Sequence, residues 1–164
     1  MVVGPDDAWQ VKPEDLPTVD ALLRAAFPGP VEAELVKRLR ADGDMVWDVT
    51  NCVACAALSR MVAPEGWLCL APVAVWPDRQ GQGIGSRLVS QIVEAVRMGI
   101  PHSAVPEPTL VVLGSPSFYA RAGFSLERAV RLISSYPISH RLIARAGAGV
   151  PERKLVYPRA FDHL

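Results

Sequence analysis

Gly81, Gly83 and Gly85 stand at alternate positions, a spacing that suggests chemistry. They strip side chains from a short loop, Gly81-Gln82-Gly83-Ile84-Gly85, that leads into an amphipathic run. Backbone N–H groups at the start of such a run point outward and carry the positive end of a helix dipole, which suits a phosphate or pyrophosphate. Arg79 and Arg87 flank the loop and add charge for an anion. The same residues also describe a tight turn that holds no ligand. A Walker-type loop requires a lysine that does not follow here. Both dinucleotide frames fail as well, because their last place falls on Ser86 or Leu88 instead of glycine.

Other side chains are reactive in principle. Tyr119, between Phe118 and Phe124, carries a phenol whose ordinary pKa of ~10 keeps it protonated at neutral pH, so it can give up a proton or simply pack. Cys52-x-x-Cys55 lies in an apolar, strand-like run without a second pair or a histidine cluster, so these residues and Cys69 read as core cysteines. His102, His140 and His163 lie far apart, and no metal site is expected. Ser115 and Ser117 lack a nucleophile-elbow context. Trp9, Trp47, Trp67 and Trp76 read as core or strand-end aromatics.

The elements that must position these residues follow from periodicity. Leu68-Cys69-Leu70-Ala71-Pro72-Val73-Ala74-Val75 is apolar without alternation, a strand buried on both faces. Trp76-Pro77-Asp78 stops it. Ile84, Leu88, Ile92 and Val96 then recur every fourth residue, so a helix follows the loop, and Gly99 caps it. Residues 101–108 read as a proline-rich loop, and Thr109 to Leu113 as a second buried strand, parallel to the first because a helix joins them. Pro72 cannot donate to a ladder, so a bulge is expected there that frees backbone groups of Val73 and Val75. Gly114-Ser115-Pro116 starts a short helix over 117–122.

Upstream, Trp9-Gln10-Val11 reads as a strand, and Pro13-Glu14-Asp15 opens a helix whose apolar face is Leu16, Val19, Leu22, Leu23, Ala26 and Phe27. A second helix covers 31–40, and 45–49 with 52–61 forms a hairpin around Thr50-Asn51. Downstream, 129–134, 141–145 and 154–156 read as strands. The expected organisation is one α/β domain over 1–164, with 1–8 and 158–164 as loose tails and no repeats.

Composition narrows the function classes. Seventeen basic and seventeen acidic residues leave a formal net charge of zero, without the basic excess of a nucleic-acid binder. The apolar runs are too short to span a bilayer and the first residues do not resemble a signal peptide, so a cytoplasmic protein without membrane attachment is expected.

Gln80-x-x-Gly83-x-Gly85 after a buried strand resembles the acetyl-CoA signature of the GNAT superfamily of N-acetyltransferases. Phe118-Tyr119-Ala120-Arg121-Ala122-Gly123-Phe124 resembles a second segment of that superfamily, at the expected distance downstream. Ala26-Phe27, the helix around Leu35 to Leu39, the central strand and Val156 to Phe161 are similar to the YhbS-like branch of predicted acetyltransferases.

The resemblance implies a GNAT-like acyl-CoA N-acyltransferase fold: a mostly antiparallel sheet, a splayed parallel strand pair, and helices on both faces. It implies acetyl-CoA as cosubstrate, an amine acceptor, no metal, and a monomer or homodimer. Its implied cofactor contacts are Val73, Ala74 and Val75 on the strand and Arg79, Gln80, Gly81, Gln82, Gly83, Ile84, Gly85 and Ser86 in the loop. Phe118, Tyr119 and Arg121 complete that set, with Tyr119 as general acid. Many relatives carry a glutamate on the central strand, and none stands there in this chain. Glu32, Glu34 and Glu65 are the substitutes as base, Glu34 being the first choice, with an ordered-water relay as the other route. The asparagine many relatives place after the second parallel strand is replaced by Gly114-Ser115. Direct transfer to a primary amine in a ternary complex is the expected activity. A CoA-binding sensor without turnover and a transferase of longer acyl chains are the alternatives.

Overall fold

The structure, a computed structural model, describes residues 7–99, 107–136 and 140–163. Among these residues six strands lie in sequence order in one sheet: β1 (Trp9–Gln10), β2 (Met45–Thr50), β3 (Ala54–Arg60), β4 (Leu68–Val75), β5 (Leu110–Leu113) and β6 (Arg141–Ala144). Every neighbouring pair is antiparallel except β4 and β5, which run parallel. Most of the expected loop over 101–108, including His102, and most of the expected N-terminal tail lie outside the described residues. Among the described residues, no helix is long and apolar enough to cross a membrane.

Four α-helices among the described residues cover the sheet: α1 (Leu16–Ala26), α2 (Val31–Asp42), α3 (Ile84–Arg97) and α4 (Pro116–Ala120). On one face α3 buries Leu88, Ile92 and Val96 against Leu70 and Val112. Each such side chain contributes roughly 1.5–3 kcal/mol on leaving water. On the other face, Val19, Leu22 and Leu23 of α1 and Ala33 and Val36 of α2 cover Cys55, Ala57 and Ala74. Leu35 and Leu39 of α2 join Cys69, Val111, Tyr157 and Phe161 in a further cluster.

The central strand changes face midway. Leu58 pairs with Leu70 and Ala56 with Val73, so Ala57 alone faces both Ala71 and Pro72. That is a β-bulge, the device expected where proline removes a ladder donor. Side-chain parity slips with it. Leu68 and Leu70 face α3 before the bulge, Val73 and Val75 after it, while Ala74 turns to α1 and α2. The parallel ladder ends at the same point, since the last paired residues are Leu70 and Val112. Beyond them β4 and β5 part.

Three expectations are corrected at the C-terminal end. Residues 129–134 do not form a strand: Glu127–Ala129 makes a 3-10 turn, and only Ile133 bridges to Lys154. The buried Arg141 guanidinium holds this irregular segment, donating to the carbonyls of Ala129, Leu132 and Tyr136. Residues 154–156 contribute single bridges, Val156 pairing with Ala63, instead of a last strand. Pro158 onward packs instead of trailing: Arg159–His163 forms a 3-10 turn that buries Ala160 and Phe161. The Tyr136 hydroxyl donates to the Phe161 carbonyl at 3.4 Å, and the Tyr157 ring lies 5.4 Å from that of Phe161.

Candidate active site

The opening between β4 and β5 leads into a cavity of about 710 Å³ that runs to the glycine loop. Its floor is the bulged half of β4. Trp76 donates its N–H to Val53 of the hairpin at 3.0 Å, so strand alternation turns the N–H groups of Val73 and Val75 away from β3, toward the gap. A ligand lying between the strands therefore meets the N–H groups of those two residues and the Val73 carbonyl, the Val75 carbonyl being taken by the Gln80 amide.

The glycine loop closes one end. Gly81 and Gly83 take φ of +78° and +79°, the left-handed region that glycine enters without a Cβ clash. Gly83 is the N-cap of α3, and its carbonyl accepts the first intrahelical bond from the Arg87 N–H at 3.0 Å. Helix geometry then leaves the N–H groups of Ile84, Gly85 and Ser86 without an intrahelical acceptor. All three residues line the cavity. Gly85 has a packing reason of its own: a Cβ there would sit 3.1 Å from the Phe118 ring and 3.2 Å from Val75. The Gln80 amide donates to the Val75 carbonyl at 3.1 Å and ties the loop to the strand end. Arg79 and Arg121 are exposed at the cavity's edge.

Tyr119 forms part of the wall opposite the bulge. It is 8% exposed and meets the rings of Phe118 and Phe124 edge-on, at 4.9 and 5.7 Å. Burial pushes its phenol up to about 12, and the nearby Cys69 adds to the shift. Gly114 makes room for it, since a Cβ there would lie 2.6 Å from the tyrosine ring. The residue standing where many relatives have asparagine is thus required to be small.

Most of the expected contacts converge. Val73, Val75, Arg79, Gln80, Gly81, Gly83, Ile84, Gly85, Ser86, Phe118, Tyr119 and Arg121 all border the cavity. Ala74 and Gln82 do not. Ala74 faces α1 and α2 because of the parity slip, and Gln82 is turned to its neighbours, accepting from Arg79 and Arg87. Glu34 is not brought to the cavity either: it pairs with Arg24 at 3.0 Å and lies 3.7 Å from Lys37 on the outer surface. Glu32, two residues earlier, lines the wall, and Glu65 does not.

Other residues complete the cavity wall. Phe27, Leu35, Leu113 and Phe161 line the cavity with Glu32, the last three of these apolar residues from one cluster and Phe27 from its neighbour, and none of the four tryptophans takes part. Phe161 had no periodic pattern to mark it, standing in a short segment between Pro158 and Asp162. Ser115 lies at the lip, its hydroxyl 3.1 Å from that of Ser117. Cys55 and Cys69 are buried and their thiols are pushed up to about 12 by burial, whereas Cys52 is exposed in the hairpin turn instead of lying in the core.

A sheet with one parallel pair that opens at a bulge, over a helix N-terminus stripped by glycine, is the frame of an acyl-CoA transferase. A family model for the acetyltransferase (GNAT) domain matches residues 42–126, and the chain belongs to the GNAT family of N-acetyltransferases, which are acyltransferases. Among curated relatives, the uncharacterized N-acetyltransferase YhbS of Escherichia coli strain K12 is 34% identical over 123 residues, covering 70% of each chain. The crystal structure of Escherichia coli YhbS in complex with CoA superposes with a TM-score of 0.81 at 28% identity, covering 94% of this chain and 91% of that one. A GNAT family acetyltransferase from Brucella melitensis in complex with acetyl-CoA gives a TM-score of 0.75 at 25% identity, covering 94% and 97%.

Proposed function

We propose that the protein moves the acetyl group of acetyl-CoA to a primary amine by direct attack, with both substrates bound together. The observation that carries this reading is the parting of β4 from β5 at Leu70 and Val112, directly before the bulge. An extended pantetheine arm fits such an opening and can bond to the N–H groups of Val73 and Val75 and to the Val73 carbonyl. The diphosphate then meets the N–H groups of Ile84, Gly85 and Ser86, with Arg79 and Arg121 near enough to add charge. The CoA and acetyl-CoA complexes of the two relatives support the same ligand class.

Chemistry at the thioester requires an oxyanion to be stabilised and two protons to be moved. The amine nitrogen attacks the carbonyl carbon, forming the C–N bond, and the C–S bond breaks as the tetrahedral species collapses. A backbone N–H of the bulged segment polarises the carbonyl oxygen. Glu32, in place of Glu34, takes the amine proton directly or through water, since it borders the cavity and Glu34 does not. Tyr119 returns a proton to the departing sulfur. An ordinary thiol near ~8.5 is too weak a base for a phenol at about 12. A sulfur expelled into an apolar gap is no ordinary thiolate, however: losing water disfavours its charged form, in the direction that burial takes the Cys69 thiol. Desolvation of the leaving sulfur brings the two groups toward a match.

Thermal unfolding in the presence of acetyl-CoA, CoA, NAD and ATP tests the ligand class. Stabilisation by both CoA species and by neither of the others is the expected result. Equal shifts with NAD or ATP overturn it. Thiol release in the presence of an amine panel then separates a transferase from a CoA-binding sensor, which would be stabilised without turning over.

A further inference from the structure

We infer that the acceptor is a small primary monoamine carried on an apolar body that bears no anionic group. The inference rests on the acetyl-transfer reading and concerns the other end of the same cavity.

Glu32 is the only acidic side chain on the cavity wall among the described residues. It is half-buried in the first turn of α2, and no described residue gives it an ion pair or a hydrogen bond. The other first-turn carboxylate, Glu34, is held by Arg24 and Lys37. The two arginines on the cavity wall are at the glycine-loop end and after α4, where they face the diphosphate in the proposed mode of binding. An acceptor ammonium therefore has one carboxylate to approach and no second one for a further positive charge.

The rest of that flank is hydrocarbon. Phe27 closes α1, and its backbone is fixed by the bond from its N–H to Leu23 at 3.2 Å. Leu35 lies one helical turn from Glu32, so the same face of α2 presents both. Leu113 ends β5, and Phe161 is seated from behind by Tyr136 and Tyr157. An alkyl or aryl group placed there loses no hydrogen bonds. A carboxylate or a second ammonium placed there would be desolvated without a partner, which strongly disfavours it.

Steady-state thiol release is measured with acetyl-CoA and four acceptors: phenethylamine, phenylalanine, ethanolamine and spermidine. Phenethylamine is expected to exceed each of the others by about tenfold or more in kcat/KM. Phe27→Ala is expected to raise KM for phenethylamine about tenfold while leaving KM for acetyl-CoA unchanged. Phe27→Leu, which keeps the flank apolar, should recover most of the loss. Spermidine or phenylalanine turning over as well as phenethylamine overturns the acceptor class, and so does an unchanged phenethylamine KM in Phe27→Ala. In those cases acetyl transfer itself still stands. Stabilisation by acetyl-CoA with no thiol release from any of the four overturns both.

Discussion

The Tyr119 phenol is buried among aromatic rings, where ionisation is costly and its proton is retained. A group that stays protonated across the working range is a proton store whose release depends on a strongly basic partner, and a thiolate expelled into the same apolar gap is one. Tyr119→Phe removes the proton without removing the ring. Thiol release should fall about a hundredfold in kcat, with the acetyl-CoA KM little changed. An undiminished kcat would remove the acid role from this residue. Gly114→Ala tests the same geometry from outside the chemistry. The added Cβ, 2.6 Å from the ring, must displace it. Overpacking of this kind costs about 1–3 kcal/mol. Both a lower melting temperature and a lower kcat are expected, whereas Tyr119→Phe should lower kcat alone.

At the level of elements, the loop and α3 work as one unit because the helix begins where side chains are missing. Gly83→Ala places a Cβ at φ +79° and 3.3 Å from the Arg87 side chain. The strain of about 1–2 kcal/mol would move the loop off its left-handed geometry and weaken acetyl-CoA binding roughly tenfold by calorimetry. An unaltered affinity would mean that the loop does not carry the diphosphate. This unit was legible in the sequence, because glycine spacing and a four-residue apolar repeat are local signals. The bulge was legible too, from Pro72 alone. What followed from the bulge was not: only the register with β3 reveals that side-chain parity slips, so Ala74 was expected in the site and faces away from it. Helix periodicity separates Glu32 from Glu34. Glu32 precedes Leu35 by three residues and Leu39 by seven, on the buried stripe of α2, whereas Glu34 shares its side with Lys37 and Arg38. Phe161 and the segment held by Arg141 depend on long-range contacts, with no periodicity to announce them.

Over the whole molecule, four acidic groups among the described residues sit in an apolar interior where burial outweighs every other influence, the Arg141 guanidinium beside Tyr157 included. The thiols of Cys55 and Cys69 are raised from 9.0 to about 12, the Tyr119 phenol from 10.0 to about 12, and Tyr157 also upward, burial being the largest cause in each. The native state therefore holds protons that the unfolded chain releases near pH ~9–10. Stability from these groups is fully present below the unfolded values and is lost as pH rises toward the folded ones. Each contributes a slope of up to about 1.4 kcal/mol per pH unit in that window. Denaturant midpoints should hold steady between pH 7 and pH 8.5 and then fall with increasing steepness. Cys69→Ala offers the control. It removes a fully buried thiol at a neutral-pH cost of about 1 kcal/mol, and the alkaline decline should become shallower than in the parent protein. Parallel curves for the two proteins would show that Cys69 keeps no such proton.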